Sequence, residues 1–357
     1  MRIGLDATPL LGARTGVGRY AASLLAALDE MAQPDLDLVA TAFSLRGRGA
    51  LQVPDGVRVR SRPVPARLLQ AAWSRTSMPP VELLTGAIDV FHATNFVLPP
   101  LQWAGGVVTV HDLAFLHRPD TVSRASARYR TLVPRSLRRA SVIVTPSRAV
   151  AEQVQEAYAP TAEVCVVPHG VDPAWALATP DEQVRAQLGL PREYLLFVGT
   201  LEPRKDLRTL LAARALVSGA PPLVLVGPPG WGEQVDVRGC VVTGHLPDPL
   251  LRPVVAGAAA LVLTSLDEGF GLTVLEALAA GNPVVASDLP VLHEVGGDQV
   301  RYAAPGDPEA FAAALTAVLT DPGDAAARRR QAAPFTWRRS AEQHLEAYSL
   351  ANARQPD

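Results

Sequence analysis

Two Rossmann-like α/β domains are what this chain predicts, and three observations predict them. Its 357 residues exceed what one hydrophobic core usually organises. Short β-branched runs alternate with alanine- and leucine-rich stretches of helical length, the pattern of parallel sheets covered by helices on both faces. The alternation breaks in a Pro-bearing stretch that follows His169-Gly170-Val171-Asp172-Pro173 and ends near Pro191. The expected domains are therefore 1–175 and 176–335, with 336–357 as a terminal helix able to return to the first.

The first series of strands is read at Ile3–Leu5, Leu38–Phe43, Val57–Arg60, Ile88–Ala93, Val107–Val110, Val142–Thr145 and Val164–Val167. In open α/β sheets ligands gather outside the carboxyl ends of strands, so the residues that follow each strand matter most. Ile3–Leu5 leads through Asp6 to Thr15-Gly16-Val17-Gly18-Arg19-Tyr20, and a helix then runs to about Glu30. Gly16 and Gly18 permit a ligand to approach the backbone at the helix start. The third glycine of the dinucleotide fingerprint is absent, and the distance from the strand is too long for its tight turn. Ile88–Ala93 carries His92, and Val107–Val110 delivers His111 and Asp112; a core histidine held by its neighbouring acid fits those residues equally well. Ser147 is placed to cap the helix after Val142–Thr145, with Arg148 as a possible phosphate contact.

The second series runs Tyr194–Val198, Leu223–Val226, Val241–Thr243, Leu261–Thr264 and Val284–Ala286. After its first strand, GTLEPRKDL bears Arg204 and Lys205, the latter the single lysine among 33 basic residues. Two adjacent cations at a strand-to-helix junction suit a diphosphate, although a surface pair fits too. Gly227-Pro-Pro-Gly-Trp231 and Gly244-His245-Leu246 follow the next two strands as turns. The stretch LVLTSLDEGFGLTVLEALAAG then places Glu268 in a glycine-bearing loop and Glu276 in the helix after it, read as Thr273 to Ala280. A helix N-terminus favours an anion, most simply a phosphate, while flanking carboxylates suit neutral hydroxyl groups. A sugar nucleotide has that layout. Taken singly, Glu276 also fits a solvated helix residue and Glu268 a capping acid.

Composition excludes several classes. The chain is 48% hydrophobic and 19% charged with net charge −2, so it is globular, and it has no basic surplus for nucleic acid. Its N-terminus lacks a signal-peptide core, and no run approaches the roughly 18 apolar residues of a membrane span. Cys165 and Cys240 stand far apart in apolar contexts and read as buried free thiols, which points to a reducing cytoplasm. Between Arg124 and Arg139 lie six arginines and no acid, a segment able to rest on anionic headgroups, with Pro134 expected to interrupt its helix.

The spacing from Glu268 to Glu276 resembles the Glu-x7-Glu signature of retaining GT-B-fold glycosyltransferases of family 4 (group 1), many of them mannosyltransferases. The GVGRY, HDLAF and GTLEPRKDL segments resemble the same family, and the matches run in order from residue 16 to residue 294. The resemblance implies a GT-B fold with an interdomain cleft. It also implies retaining transfer of a hexosyl unit from a nucleoside diphosphate sugar to a hydroxyl acceptor, without a bound metal or cofactor.

The family's roles map onto this chain residue by residue. Arg204 and Lys205 would stabilise the departing diphosphate, helped by amides at Gly271 and Leu272. Glu268 would orient sugar hydroxyls, Glu276 would hold the ribose, and His111 would contact the donor sugar with Asp112 behind it. Gly16 and Gly18 would approach the donor phosphate or the acceptor, and the loops at Gly227 and Leu246 would surround the base. GDP-mannose is the first expectation for the donor, and a sugar, glycan or lipid-linked hydroxyl for the acceptor, at the inner face of the membrane. Two departures stand out: His169 replaces the usual Asn, and Leu251-Arg252-Pro253 replaces a Tyr, which leaves that helix start open. A phosphorylase would need a pyridoxal lysine, and Lys205 already fits the diphosphate motif. The nonenzymatic alternative is a sugar-nucleotide-binding or inactive partner subunit. Sugar, base, acceptor, linkage and oligomeric state stay open from sequence.

Overall fold

The computed structural model describes residues 1–11, 16–31, 33–44, 51–60, 63–232 and 235–354, so Thr15, just before the GVGRY motif, lies outside the described residues. The chain divides into two compact units. The first comprises Met1–Leu113, Arg124–Gly170 and Trp337–Asp357, and the second Ala114–Ser123 and Val171–Thr336.

In the first unit the strands are β1 (Arg2–Asp6), β2 (Asp37–Thr41), β3 (Arg58–Val59), β4 (Val90–Ala93), β5 (Gly105–Thr109), β6 (Val142–Thr145) and β7 (Glu163–Val166). They form one sheet in the order β3-β2-β1-β4-β5-β6-β7. Each pairing is parallel, with Ile3 opposite Val90 and Val107 opposite Val142. Parallel strands are buried on both faces, which is why β4, β5 and β6 read as continuous apolar runs rather than alternating ones. The strand order reverses between β1 and β4, the position where such sheets open a crevice at their carboxyl ends.

Two helices far apart in sequence cover this sheet. The Gly16–Glu30 helix buries Tyr20, Leu24, Leu25 and Leu28, residues three and four apart that form one face. The C-terminal helix, Trp337–Ala353, adds Ala341, Ala347, Tyr348 and Ala351 to the same core. Its approach is close enough that a side chain on Gly105 would put a Cβ 2.3 Å from the Ala351 carbonyl oxygen. Each large side chain buried here contributes roughly 2 kcal/mol, so this helix is integral to the unit.

The second unit holds β8 (Leu195–Val198), β9 (Leu223–Val226), β10 (Val241–Gly244), β11 (Ala260–Leu263), β12 (Val284–Ser287) and β13 (Arg301–Ala303), ordered β10-β9-β8-β11-β12-β13 and parallel throughout. Phe197, Leu210, Leu225, Val262, Phe311 and Leu315 share its core. Here the reversal falls between β8 and β11.

Three sequence readings need correction, and one left open, the helix start near Pro253, is resolved. Strand β13, Arg-Tyr-Ala, escapes a search for β-branched runs because it is an edge strand of three residues with an exposed arginine. Pro134 does not interrupt its helix, which runs from Tyr129 to Arg139. The proline forfeits one backbone bond, and buried Leu132, Val133 and Leu137 hold the helix across the gap. Likewise Pro253 lies inside a helix, Asp248–Ala256, that starts behind Pro247. Both cysteines are free, and both are only partly buried. Among the described residues no helix is long and apolar enough to cross a membrane.

Candidate active site

The loops that leave β8 and β11 meet at the switch point of the second sheet. After β8 the chain makes a short 3-10 turn, Pro203–Lys205, and Asp206 turns it into the next helix with a φ of 44°, capping that helix through Thr209. After β11, the Thr264 hydroxyl donates to the carbonyls of Lys205 (2.9 Å) and Asp206 (3.0 Å), and the Leu266 amide donates to the Arg204 carbonyl (2.8 Å). These bonds fix the two loops against each other.

Four charges face one another on this frame. Lys205 Nζ donates to Glu268 Oε1 at 2.5 Å, and the Ser265 hydroxyl donates to the same oxygen at 2.7 Å. Arg204 Nη1 donates to the Asp267 carbonyl at 2.6 Å and lies 3.4 Å from Glu268 Oε2, while its Nη2 donates to Glu202 Oε1 at 2.8 Å. All four side chains are largely buried. Burial alone would raise the Glu268 carboxyl, but Lys205, Arg204 and Ser265 outweigh it and hold it at about 2. Glu268 is thus ionised at neutral pH. Glu202 was missed by sequence reasoning; its only signal was its position two residues before Arg204.

Glu268 precedes a helix start built for an anion. Gly271, with a φ of 93°, is the N-cap of the Leu272–Ala280 helix, and no side chain among the described residues caps it. The amides of its first turn and the positive end of its dipole are offered to a ligand. Glu276 lies one turn on and is 4% exposed, which rules out a solvated helix residue. The Gly227 loop packs on the same frame: a Cβ at Gly227 would lie 2.0 Å from the Gly199 carbonyl oxygen, and its φ of 146° is a glycine conformation. Its amide donates to the Gly244 carbonyl, at the head of the loop that carries buried Leu246. Trp231, in the Gly227 loop, donates to the Thr121 carbonyl at 3.1 Å. A separate groove of about 480 Å³, lined by Arg185, Arg192, Tyr194 and Pro253, contains none of the candidate residues.

The first unit holds His111, Gly16 and Gly18. Gly16 begins its helix, and a Cβ there would meet none of the described atoms within 4 Å; Gly18 is buried two residues on. His111 follows β5, and its Nε2 donates to the Thr94 carbonyl at 2.8 Å, so Nδ1 is the accepting nitrogen. Burial lowers its pKa, opposed by the Thr94 bond and Asp112, and the ring is neutral at physiological pH. Its binding partner is therefore a backbone carbonyl rather than the neighbouring acid.

Phe96 and Tyr129, which the sequence reading did not single out, stand near His111, and other polar groups of this unit are buried with it. Asp6, at the end of β1, has its carboxyl raised by burial against the Thr8 bonds. Tyr129 packs on Phe96 at 4.6 Å, and Phe96 holds a left-handed φ of 59° beside His111, a strained backbone of the kind that collects at functional sites. His92 and His169 are buried near His111. Ser147 caps the Arg148–Tyr158 helix through the Val150 amide, and Arg148 is exposed at its first position.

Two parallel sheets, one with a cation and carboxylate cluster at its switch point beside an uncapped helix start, make a protein of the GT-B glycosyltransferase class. Residues 192–321 match the family model of glycosyl transferases group 1, and residues 15–170 match that of the glycosyl transferase 4-like domain. The O-antigen chain mannosyltransferase B of Escherichia coli is 32% identical over 289 residues, 73% of this chain and 74% of that protein. Among solved structures, a sucrose-phosphate synthase from Thermosynechococcus elongatus superimposes with a TM-score of 0.74 at 20% identity, covering 98% of each chain. The HepE protein of Anabaena, solved with UDP-glucose, does so with a TM-score of 0.69 at 19% identity, covering 98% of this chain and 99% of its own. The chain belongs to the group 1, family 4 glycosyltransferases.

Proposed function

We propose that this glycosyltransferase moves a hexosyl unit from a nucleoside diphosphate sugar, GDP-mannose in the first instance, to a hydroxyl of a glycan, glycolipid or polysaccharide, with retention at the anomeric carbon. The observation that carries the reading is the cluster of Arg204, Lys205 and Glu268 beside the helix start at Gly271 and Leu272. A diphosphate would draw Lys205 and Arg204 from their carboxylates and receive the helix amides, so the chain itself supplies the positive charge the leaving group needs. This supports transfer without a metal or further cofactor. Glu276 is assigned to the ribose, Glu268 and His111 to sugar hydroxyls, and the loops at Gly227 and Leu246 to the base. The mannosyltransferase relative favours mannose, and the UDP-glucose bound by HepE makes UDP-glucose the second donor to try.

The retention proposed here does not use Glu268 as the nucleophile of a double displacement. A carboxyl held at about 2 is no proton donor at pH 7, and one already engaged by Lys205, Ser265 and Arg204 is poorly free to attack carbon. The mechanism that fits is attack by the acceptor on the same face the diphosphate leaves, with a diphosphate oxygen taking the acceptor proton. The test incubates the protein with GDP-mannose and UDP-glucose and a panel of acceptors. It measures nucleoside diphosphate release, then the anomeric configuration of the product by NMR. An inverted product overturns the mechanism, and tight nucleotide binding with no release on any acceptor favours the nonenzymatic partner.

Peripheral contact with an anionic membrane belongs to the same proposal. Arg128, Arg130 and Arg138 are exposed along the Arg124–Arg139 segment. Arg139 instead ties the segment to the fold through the carbonyls of Trp73, Leu98 and Thr76, and Met78, two residues beyond Thr76, is 59% exposed. Arginines beside an exposed apolar side chain suit a headgroup layer. Sedimentation with vesicles containing acidic lipid should fall with salt and with replacement of these three arginines; insensitivity to both refutes the contact.

A further inference from the structure

Inside the first unit a run of buried polar groups joins the C-terminal helix to the strands that carry His111. Tyr348 hydroxyl meets His92 Nδ1 (2.8 Å), His92 Nε2 meets the Thr109 hydroxyl (2.8 Å), and Thr109 meets the Tyr20 hydroxyl (2.9 Å). Tyr20 in turn meets His344 Nε2 (2.8 Å), and His344 Nδ1 meets the Ser340 carbonyl (2.7 Å). The five side chains are all at most 1% exposed.

Every bond in this run has one possible direction. The Ser340 carbonyl only accepts, so His344 carries its proton on Nδ1, and neutral in this dry setting it offers a lone pair at Nε2. Tyr20 spends its single proton there. Its oxygen must then accept from Thr109, Thr109 must accept from His92 Nε2, and Tyr348 must donate to His92 Nδ1. The run starts and ends on one helix and is unable to reverse, because its terminal carbonyl has no proton to give. It is an anchor and not a proton wire.

A core position asks only to be filled, and apolar side chains fill it without the cost of desolvating five polar side chains. What the polar run gives in return is orientation, and Tyr20 is where that orientation is delivered. Its ring stands edge-on to His111 with centroids 5.0 Å apart at 81°, and lies 4.7 Å from His169. It also belongs to the first turns of the helix that Gly16 and Gly18 open. With its oxygen held by Thr109 and His344, the ring has one place to sit, and His111 is gripped between that ring and the Thr94 carbonyl.

We infer that Tyr20 and His344 are positioning residues for His111, and that the C-terminal helix thereby sets the geometry around that histidine. The inference rests on the proposed role of His111 against the donor sugar. It places a control on catalysis in two residues 324 positions apart, one in the GVGRY segment and one in the C-terminal helix.

The test is Tyr20→Phe, which keeps the ring and removes the anchor. Displacements of about 1 Å in a reacting site cost on the order of 100-fold, so kcat should fall 10- to 100-fold at a temperature where the variant is folded. Affinity for free nucleoside diphosphate should stay within twofold, because Arg204 and Lys205 belong to the other unit. Nitrogen-15 NMR of labelled histidines gives a readout independent of turnover: the wild type should show His344 protonated on Nδ1, and His92 and His111 on Nε2. In Tyr20→Phe, His111 should change its shifts. A folded Tyr20→Phe with wild-type kcat overturns the inference, as does a wild-type spectrum with His344 protonated on Nε2. Should Tyr20→Phe not fold, Thr109→Val cuts the run at its next member, and wild-type kcat with unchanged His111 shifts there refutes the inference. If the wild type transfers no sugar from any donor, the functional proposal fails while the NMR arm still decides the anchoring.

Discussion

Replacing Glu268 by Gln should make the protein a worse enzyme and a better binder of the leaving group. In the native cluster Arg204 and Lys205 face Glu202 and Glu268, two charges of each sign, and Glu268→Gln leaves a net +1. Unit charges about 6 Å apart interact by roughly 0.7–3 kcal/mol for effective dielectric constants of about 80–20. Screening by salt and by the two charges of the diphosphate leaves a gain of about 1–2 kcal/mol, or about 5- to 30-fold tighter binding of free nucleoside diphosphate. Turnover should fall by about 100-fold, because the sugar hydroxyls exchange a charged acceptor for a neutral amide with one accepting oxygen and are held less well.

The same substitution should destabilise the second unit. A carboxyl held at about 2 against an ordinary 4.5 stabilises the fold by about 3 kcal/mol at neutral pH. The sign follows from the depressed pKa: the stabilisation is complete above about 4.5 and is lost as pH falls through about 2. Melting at pH 7 should drop roughly 6–12 °C in Glu268→Gln, and the gap should narrow by about half at pH 3. Isothermal titration with GDP and UDP beside thermal melts at pH 7 and pH 3 measures all of this. Weaker diphosphate binding in the variant, or an unchanged melting temperature at pH 7, refutes the view that Glu268 is the internal competitor of the leaving group.

Glu276→Ala should raise the donor KM about tenfold and leave kcat within a few fold, seen in initial-rate kinetics; a collapse of kcat at unchanged KM would reassign that residue. Gly227→Ala should cost more than about 3 kcal/mol, since its Cβ falls 2.0 Å from the Gly199 carbonyl oxygen in a strained conformation; equal melting temperatures would contradict the packing. The first unit should lose stability in mild acid. Burial lowers His344 from 6.5 to about 4, so its neutral form stabilises fully above 6.5 and about 3 kcal/mol is lost between 6.5 and 4. His344→Gln should flatten that slope in melts taken from pH 7.5 to pH 4.5.

Most of strands β1 to β12 were legible in the sequence because strands buried on both faces must be apolar throughout, and the edge strands β3, β7 and β10 because each lies in a valine-bearing run, whereas Arg-Tyr-Ala of β13 offers none. The meeting of Arg204, Lys205 and Glu268 was legible because the single lysine and a glycine-flanked glutamate each follow a strand end. Glu202 was not, since a carboxylate two residues from an arginine is commonplace until a fold buries both. Proline misled at 134, where tertiary contacts outweigh one missing bond, and Leu251-Arg252-Pro253 left open a helix start that the structure places behind Pro247. The pairing of Tyr20 with His344 has no local signature, because the chain must fold before either residue has a neighbour of its own kind.

The C-terminal helix reverses the order in which the halves of this protein are completed during synthesis. Residues 337–357 emerge after the whole of 171–336 has been made, yet they belong to the first unit. At about 5–20 residues per second, the first unit waits roughly 10–30 s on the ribosome with the sheet face that will receive Tyr348 and Ala351 uncovered. The half that is translated first is the half that matures last.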